Sequence, residues 1–91
     1  MDNIKYIYDQ LKDKYDLTLT NAFALNVGFT VDYPILCGKC CNRTFYLYED
    51  DSLFVFAVEE PNRNDWDHWH PYDTEDAVKF ITDFMKDYNE L

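Results

Sequence analysis

The feature that most constrains the fold is a change in the spacing of apolar residues along the chain. Residues 2–16 carry apolar side chains three, four and seven positions apart, at Ile4, Ile7, Tyr8, Leu11 and Tyr15. This spacing predicts an amphipathic helix at the N-terminus. Residues 73–76 are typical of a helix start, with a capping Asp or Thr and an acidic first turn. A second apolar stripe follows at Ala77, Phe80, Ile81, Phe84, Met85 and Tyr88.

Between these helices the apolar period shortens to two, which is typical of strands. We expect one half-buried strand in Leu17–Val31, and further strands in Tyr33–Cys37, Thr44–Glu49 and Leu53–Glu59. The polar residues 49–52 predict a hairpin turn, and Gly38-Lys39 suits a two-residue turn. Pro34 favours a sheet edge or a strand start. Residues 66–70 predict a short edge strand.

Together these elements predict an α+β fold, a two-layer sandwich in a single domain spanning residues 1–91. The N- and C-terminal helices pack on one face of a mostly antiparallel sheet of three or four strands. We expect the other face to carry Tyr46 and Tyr48, partly exposed. An uncovered aromatic face serves either as a binding surface or as the seam of a homodimer.

The charge balance limits the classes of partner. The chain has 18 Asp and Glu against 8 Lys and Arg, a formal net charge of −10. This disfavours nucleic acid and anionic membrane surfaces, which need clustered basic residues. It favours a basic protein partner, although solubility alone is the simpler explanation. The sequence shows no signal peptide and no membrane-length apolar run, and it has an odd number of cysteines, so we expect a cytoplasmic protein.

An aromatic segment flanked by carboxylates, residues 61–73, is the first candidate site. Aromatic side chains supply rigid contact area at protein interfaces. The alternative is that its tryptophans cover the open end of a small core. The predicted partner-binding residues are Asp50, Asp51, Glu59, Glu60, Asp65, Trp66, Asp67, Trp69 and Tyr72.

The second candidate is a zinc site formed by Cys37 and Cys40 with His68 and His70. A Cys-x-x-Cys turn brings two thiolates to one tetrahedral ion, and two histidines can complete the site. The alternatives are thiols without a ligand beside polar imidazoles, and a redox dithiol. Residues 62–67 lack the glycine and terminal glutamate of a calcium loop. The chain has neither a glycine-rich phosphate loop nor a serine outside the polar turn at Ser52, so we expect no enzyme.

The segment from His68 to Met85, an aromatic and histidine strand that runs through Asp73 into a final amphipathic helix, resembles the ending of small uncharacterised bacterial α+β proteins. Some of these resemble immunity proteins. The resemblance implies a small acidic protein that inhibits a partner, and it does not include Cys37–Cys41. The sequence therefore favours a non-enzymatic interaction protein of the immunity or inhibitor type, with a small zinc-binding module as the alternative.

Overall fold

The computed structural model describes residues 3–22, 30–60 and 67–86, and within these ranges it contains two helices and five strands. In chain order they are α1 (Asn3–Leu11), β1 (Leu17–Ala22), β2 (Thr30–Cys40), β3 (Arg43–Asp50), β4 (Leu53–Glu59), β5 (Asp67–Trp69) and α2 (Thr74–Phe84). The strands form one antiparallel sheet in the order β1-β2-β3-β4-β5, and the two helices contact it and each other. The predicted α+β architecture is confirmed, with five strands instead of three or four.

Both helices bury their apolar stripes against one face of the sheet. Because side chains alternate between faces along a strand, every second residue of β2, β3 and β4 points toward the helices. The resulting core combines the helix residues Ile4, Ile7, Leu11, Ala77, Ile81 and Met85 with the strand residues Leu36, Phe45, Leu47, Phe54, Phe56 and Val58. Phe45 and Phe56 stack at its centre, with ring centroids 5.3 Å apart. We call this the helix-covered face.

The helix ends follow local hydrogen bonding. Asp73 caps α2, and its carboxylate accepts a hydrogen bond of 2.8 Å from the backbone N–H of Asp76, as the sequence predicted. Helix α1 ends at Leu11, whereas the sequence predicted a helix over residues 2–16. The N–H groups of Lys14 and Tyr15 both donate to the Leu11 carbonyl and close the chain into a turn before β1.

Two-residue turns join β2 to β3 and β3 to β4. Both residues of each turn have positive φ, 57° and 67° at Cys41 and Asn42 and 50° and 65° at Asp51 and Ser52. Such turns match the right-handed twist of the flanking strands. The predicted hairpin at residues 49–52 is confirmed. The predicted turn at Gly38-Lys39 is wrong, because both residues lie inside β2.

The region predicted as one strand, Leu17–Val31, is divided between two strands. Strand β1 ends at Ala22, and Thr30 pairs back with Ala22 at the start of β2. Residues 23–29, which include Gly28, lie outside the described residues.

Pro34 also departs from expectation, because β2 is an interior strand. Its missing N–H costs little there, because the β1–β2 register is irregular and the β2–β3 ladder starts only at Leu36.

The opposite face of the sheet is more buried than predicted. Tyr46 is only 2% exposed, and Ile35 and Ala57 beside it are fully buried. Tyr48 is partly buried, as expected. The centre of this face, which we call the far face, is therefore not the open aromatic surface that we predicted as a binding surface or a homodimer seam.

Gly38 provides space that the core needs. It pairs with Leu17 on β1 and Phe45 on β3, on the helix-covered face. A Cβ at this position would overlap the Phe45 ring and would lie 2.7 Å from Cδ2 of Leu17. Both neighbours are themselves buried, so neither side chain has open space to move into. Gly38 suggested a turn in the sequence. In the structure it is needed because the side chains of Phe45 and Leu17, on the two neighbouring strands, occupy the space of a Cβ.

We expect the substitution Gly38→Ala to lower the free energy of unfolding by about 1–3 kcal/mol, because the added methyl group overpacks the core. Thermal and urea unfolding measure this loss. The matched control is Lys39→Ala at the next, exposed position, where a change within about 0.5 kcal/mol is expected. Equal stability of the Gly38→Ala variant and the native protein would contradict the packing argument.

Candidate functional site

The structure does not bring the four predicted zinc ligands together. Cys37 and Cys40 are three residues apart on β2, and an odd spacing on a strand places two side chains on opposite faces. Cys40 belongs to the core under the helices, whereas Cys37 packs beside Ile35 and Tyr46 on the far face. Two thiolates on opposite faces cannot bind one ion with ordinary zinc–sulfur distances of ~2.3 Å.

The histidines lie at the edge of the sheet formed by β5, far from β2. One row of paired residues crosses the sheet from Cys37 on β2 through Tyr46 and Ala57 to His68 on β5. His68 is thus three strand spacings, or ~14 Å, from Cys37. His70 Nδ1 lies 3.1 Å from the carbonyl oxygen of Phe54, so this imidazole holds the chain against β4 as it leaves β5. Within residues 3–22, 30–60 and 67–86, no group of three or more His, Cys, Asp or Glu is arranged to hold a metal ion.

The predicted partner-binding residues are divided between the two ends of the sheet. Asp50 and Asp51 lie at the β3–β4 turn, where β4 starts. Glu59 and Glu60 lie where β4 ends, and Asp67 pairs with Val58 at that same end. Six residues of extended strand separate the two groups by ~20 Å. Asp65 and Trp66 lie outside the described residues.

The aromatic members of that set differ in their surroundings. Trp69 lies on the helix-covered face, with its ring centroid 6.2 Å from Phe56 and 6.5 Å from Phe80. It therefore covers part of the core, as the alternative interpretation predicted, although it remains partly exposed. Tyr72 is 90% exposed, while its backbone N–H is fixed by a 2.8 Å hydrogen bond to Asp76.

One end of the sheet combines carboxylates with exposed apolar side chains. Strand β4 begins here and β5 finishes here, because the two strands are antiparallel, and α2 starts just beyond β5. Tyr72 and the first turn of α2 share one shallow hollow of about 330 Å³ with Lys79. Leu53, at the start of β4, is 49% exposed. We call this surface the acidic end, and it consists of Asp50, Asp51, Leu53, Tyr72, Asp73, Glu75 and Asp76.

Two stacked tyrosines border the acidic end on the far face. The rings of Tyr33 and Tyr48 are 5.8 Å apart, and Asp50 follows Tyr48 by two residues on the same face of β3. Burial raises the pKa of both phenols, and the negative charge of Asp50 raises each further. Both hydroxyl groups therefore stay protonated at neutral pH and can donate hydrogen bonds.

A half-open depression of about 470 Å³ lies at the opposite end of the far face. It is lined by Cys37 together with Asp16, Thr18, Gly38, Lys39, Asn42, Thr44, Tyr46 and Glu59. The pKa of the Cys37 thiol is raised, chiefly by burial and further by the charge of Glu59, and Lys39 offsets only part of this. A protonated, half-buried thiol is a weak nucleophile, so the depression is suited to binding more than to thiol chemistry.

Comparison with known proteins found no match among family models, curated proteins or solved structures. Among the described residues, neither helix has the length and apolar composition that crossing a bilayer requires. The candidate sites therefore depend on geometry alone.

Two parts of the candidate sites were not predicted from the sequence: the exposed Leu53, which was expected only as the first residue of a strand, and the depression. Leu53 carried no sequence signal, because β4 is continuously apolar and buried from Phe54 to Val58, and only its first residue, next to the β3–β4 turn, is exposed. The depression had no sequence signal, because four strands and the turn before β1 contribute to it.

We expect Cys37 to react with iodoacetamide more slowly than the exposed Cys41, because a raised pKa leaves less thiolate at any given pH. The substitution Glu59→Gln removes one cause of the shift, so it should lower the pKa of Cys37 and speed its alkylation. Peptide mapping of the modified protein over a range of pH measures both effects. The control is Glu60→Gln, one residue further on, which should leave the rate at Cys37 unchanged.

Proposed function

We propose that this protein is a small non-enzymatic interaction protein that binds a basic protein partner through its acidic end. The observation that carries the proposal is the exposure of Leu53 and Tyr72 beside five carboxylates of the acidic end. An exposed apolar contact rimmed by charge is typical of a protein interface. An aromatic side chain that becomes buried in the complex supplies affinity, and the surrounding charges orient the partner and speed the encounter.

The distribution of charge supports a preference for a cationic surface. The basic residues within the described strands, Lys39 and Arg43, lie at the opposite end of the sheet, and Lys79 of α2 lies in the hollow beside Tyr72. Arg43 is engaged there by the Phe84 ring, 5.0 Å away, and by Glu60 at 3.8 Å. The net charge of −10 adds a long-range attraction for any basic partner.

The local structure holds several of these groups in place before binding. Asp73 caps α2, Asp76 accepts the Tyr72 N–H, and both residues of the β3–β4 turn have the geometry of a tight hairpin. A surface that is already ordered loses little conformational entropy when a partner binds. In the inhibitor form of this proposal, the acidic end covers a basic substrate-binding surface of a toxin or nuclease. The resemblance to immunity proteins implied inhibition of a partner and no particular surface.

The charge of the acidic end is tested by two variants that each remove two negative charges. In the assay, the immobilised native chain captures a basic protein from an extract of its own cells. We expect the immobilised Asp50→Asn/Asp51→Asn variant not to capture it. Glu59→Gln/Glu60→Gln, at the other end of the sheet, should retain it. For the purified partner, the association rate should fall about tenfold or more as ionic strength rises to physiological salt. Equal retention by both variants, or a rate that ignores salt, would refute the proposal.

The apolar anchor is tested separately at Tyr72. We expect Tyr72→Ala to weaken binding of the same purified partner about tenfold or more, the loss typical of an interface hot spot. Tyr72→Phe, which keeps the ring, should retain most of the affinity. Both variants should melt at the native temperature, because the side chain is almost fully exposed and the hydrogen bond to Asp76 comes from the backbone. An unchanged affinity of the alanine variant would remove Tyr72 from the interface.

A further inference from the structure

Two adjacent cysteines at the β2–β3 turn have their sulfur atoms in contact. Cys40 Sγ and Cys41 Sγ are 3.3 Å apart. Neighbouring residues of a regular strand point to opposite faces, which would keep two such thiols apart. Cys41 has φ of 57° as the first residue of the turn, so the alternation ends there and the two sulfur atoms meet.

The two thiols differ in their access to solvent. Cys40 is 4% exposed and belongs to the core under the helices, whereas Cys41 is exposed at the tip of the hairpin. Cys37 lies on the other face of β2 and cannot reach either sulfur atom without disrupting the sheet. An accessible thiol beside a protected one is the arrangement by which dithiols react in two steps.

We propose that Cys40 and Cys41 form a reversible redox pair that is oxidised to an intrachain disulfide by a low-molecular-weight disulfide such as oxidised glutathione. The Cys41 thiolate attacks one glutathione sulfur, which forms a mixed disulfide and releases one glutathione as its thiol. Cys40 then loses its proton, attacks the Cys41 sulfur and releases the second glutathione. The protein thereby loses two electrons and two protons, and the oxidant is reduced to two thiols.

The geometry favours the second step over any competing reaction of the mixed disulfide. The two sulfur atoms start 3.3 Å apart and must reach the bonding distance of about 2.05 Å. Adjacent Cα atoms are only ~3.8 Å apart, below the usual range for disulfides, so the bond is strained and easily reduced, as a reversible pair requires. The third cysteine, Cys37, lies on the far face of the sheet and so does not compete for the mixed disulfide. The same turn supplies Asn42 to the lining of the depression on the far face, so the redox state of the pair acts directly beside that site.

The experiment exposes the full-length reduced protein to oxidised glutathione at neutral pH, blocks remaining thiols with N-ethylmaleimide and measures intact mass and peptide maps. We expect Cys37→Ser to lose the mass of two hydrogen atoms, and the native chain to show the same loss apart from any N-ethylmaleimide bound to Cys37. Cys40 and Cys41 should then resist alkylation until dithiothreitol is added. Cys40→Ser should instead stop at a single glutathione adduct on Cys41, and Cys41→Ser should form neither product at a comparable rate.

Three results would overturn the proposal: a lasting glutathione adduct on Cys41 of the native chain, a disulfide that includes Cys37, or a disulfide between two chains. All three are visible in the native protein, and the first and third are also visible in Cys37→Ser, so the outcome does not depend on whether the variant at the buried Cys40 folds. The proposal is also independent of the acidic end, since the pair lies at the opposite end of the sheet.

Discussion

The antiparallel register of β2, β3 and β4 is the constraint on which the rest of the structure depends. Two tight turns fix it by pairing Cys40 with Arg43 and Asp50 with Leu53. Once these pairs are set, the strict alternation of a strand assigns every side chain to one face. A shift of one residue would exchange Phe45 and Leu47 with Tyr46 and would expose the core that the helices cover. The turns therefore specify the core, although they lie outside it.

The same register decides which chemistry is available. It separates the Cys-x-x-Cys motif across the sheet and places the histidines three strands away, so a motif that suggests a metal site by spacing alone has no common centre here. It also divides the carboxylates between the two ends of β4. The register also forms two groupings that are less visible in the sequence. At one end of the sheet Cys37 lines a depression with Lys39 and Glu59, and at the other end Leu53 and Tyr72 are exposed among carboxylates.

The parts of the fold that could be predicted are those with a local cause. The sequence predicted the bounds of β4 and the capped start of α2, because continuous apolar residues and an Asp before an acidic turn act on their own neighbours. The errors have a non-local cause. Gly38 leaves space for the Phe45 ring on β3 and the Leu17 side chain on β1, and Cys41 adopts positive φ in a turn that lacks the glycine usual there. The separation of Cys37 from Cys40 followed from strand periodicity, but only after residues 37–40 were known to be a strand.

Burial of both sheet faces explains why the candidate sites lie at the ends of the sheet. A chain of 91 residues has few side chains with which to form a core, and here Ile35, Tyr46 and Ala57 add a second buried cluster to the one under the helices. The described centre of each face is thus occupied by packing, and the strand ends and turns remain for recognition and reactivity. These positions can carry charge, an exposed ring or a reactive thiol at little cost in stability, because they contribute little apolar area to either cluster.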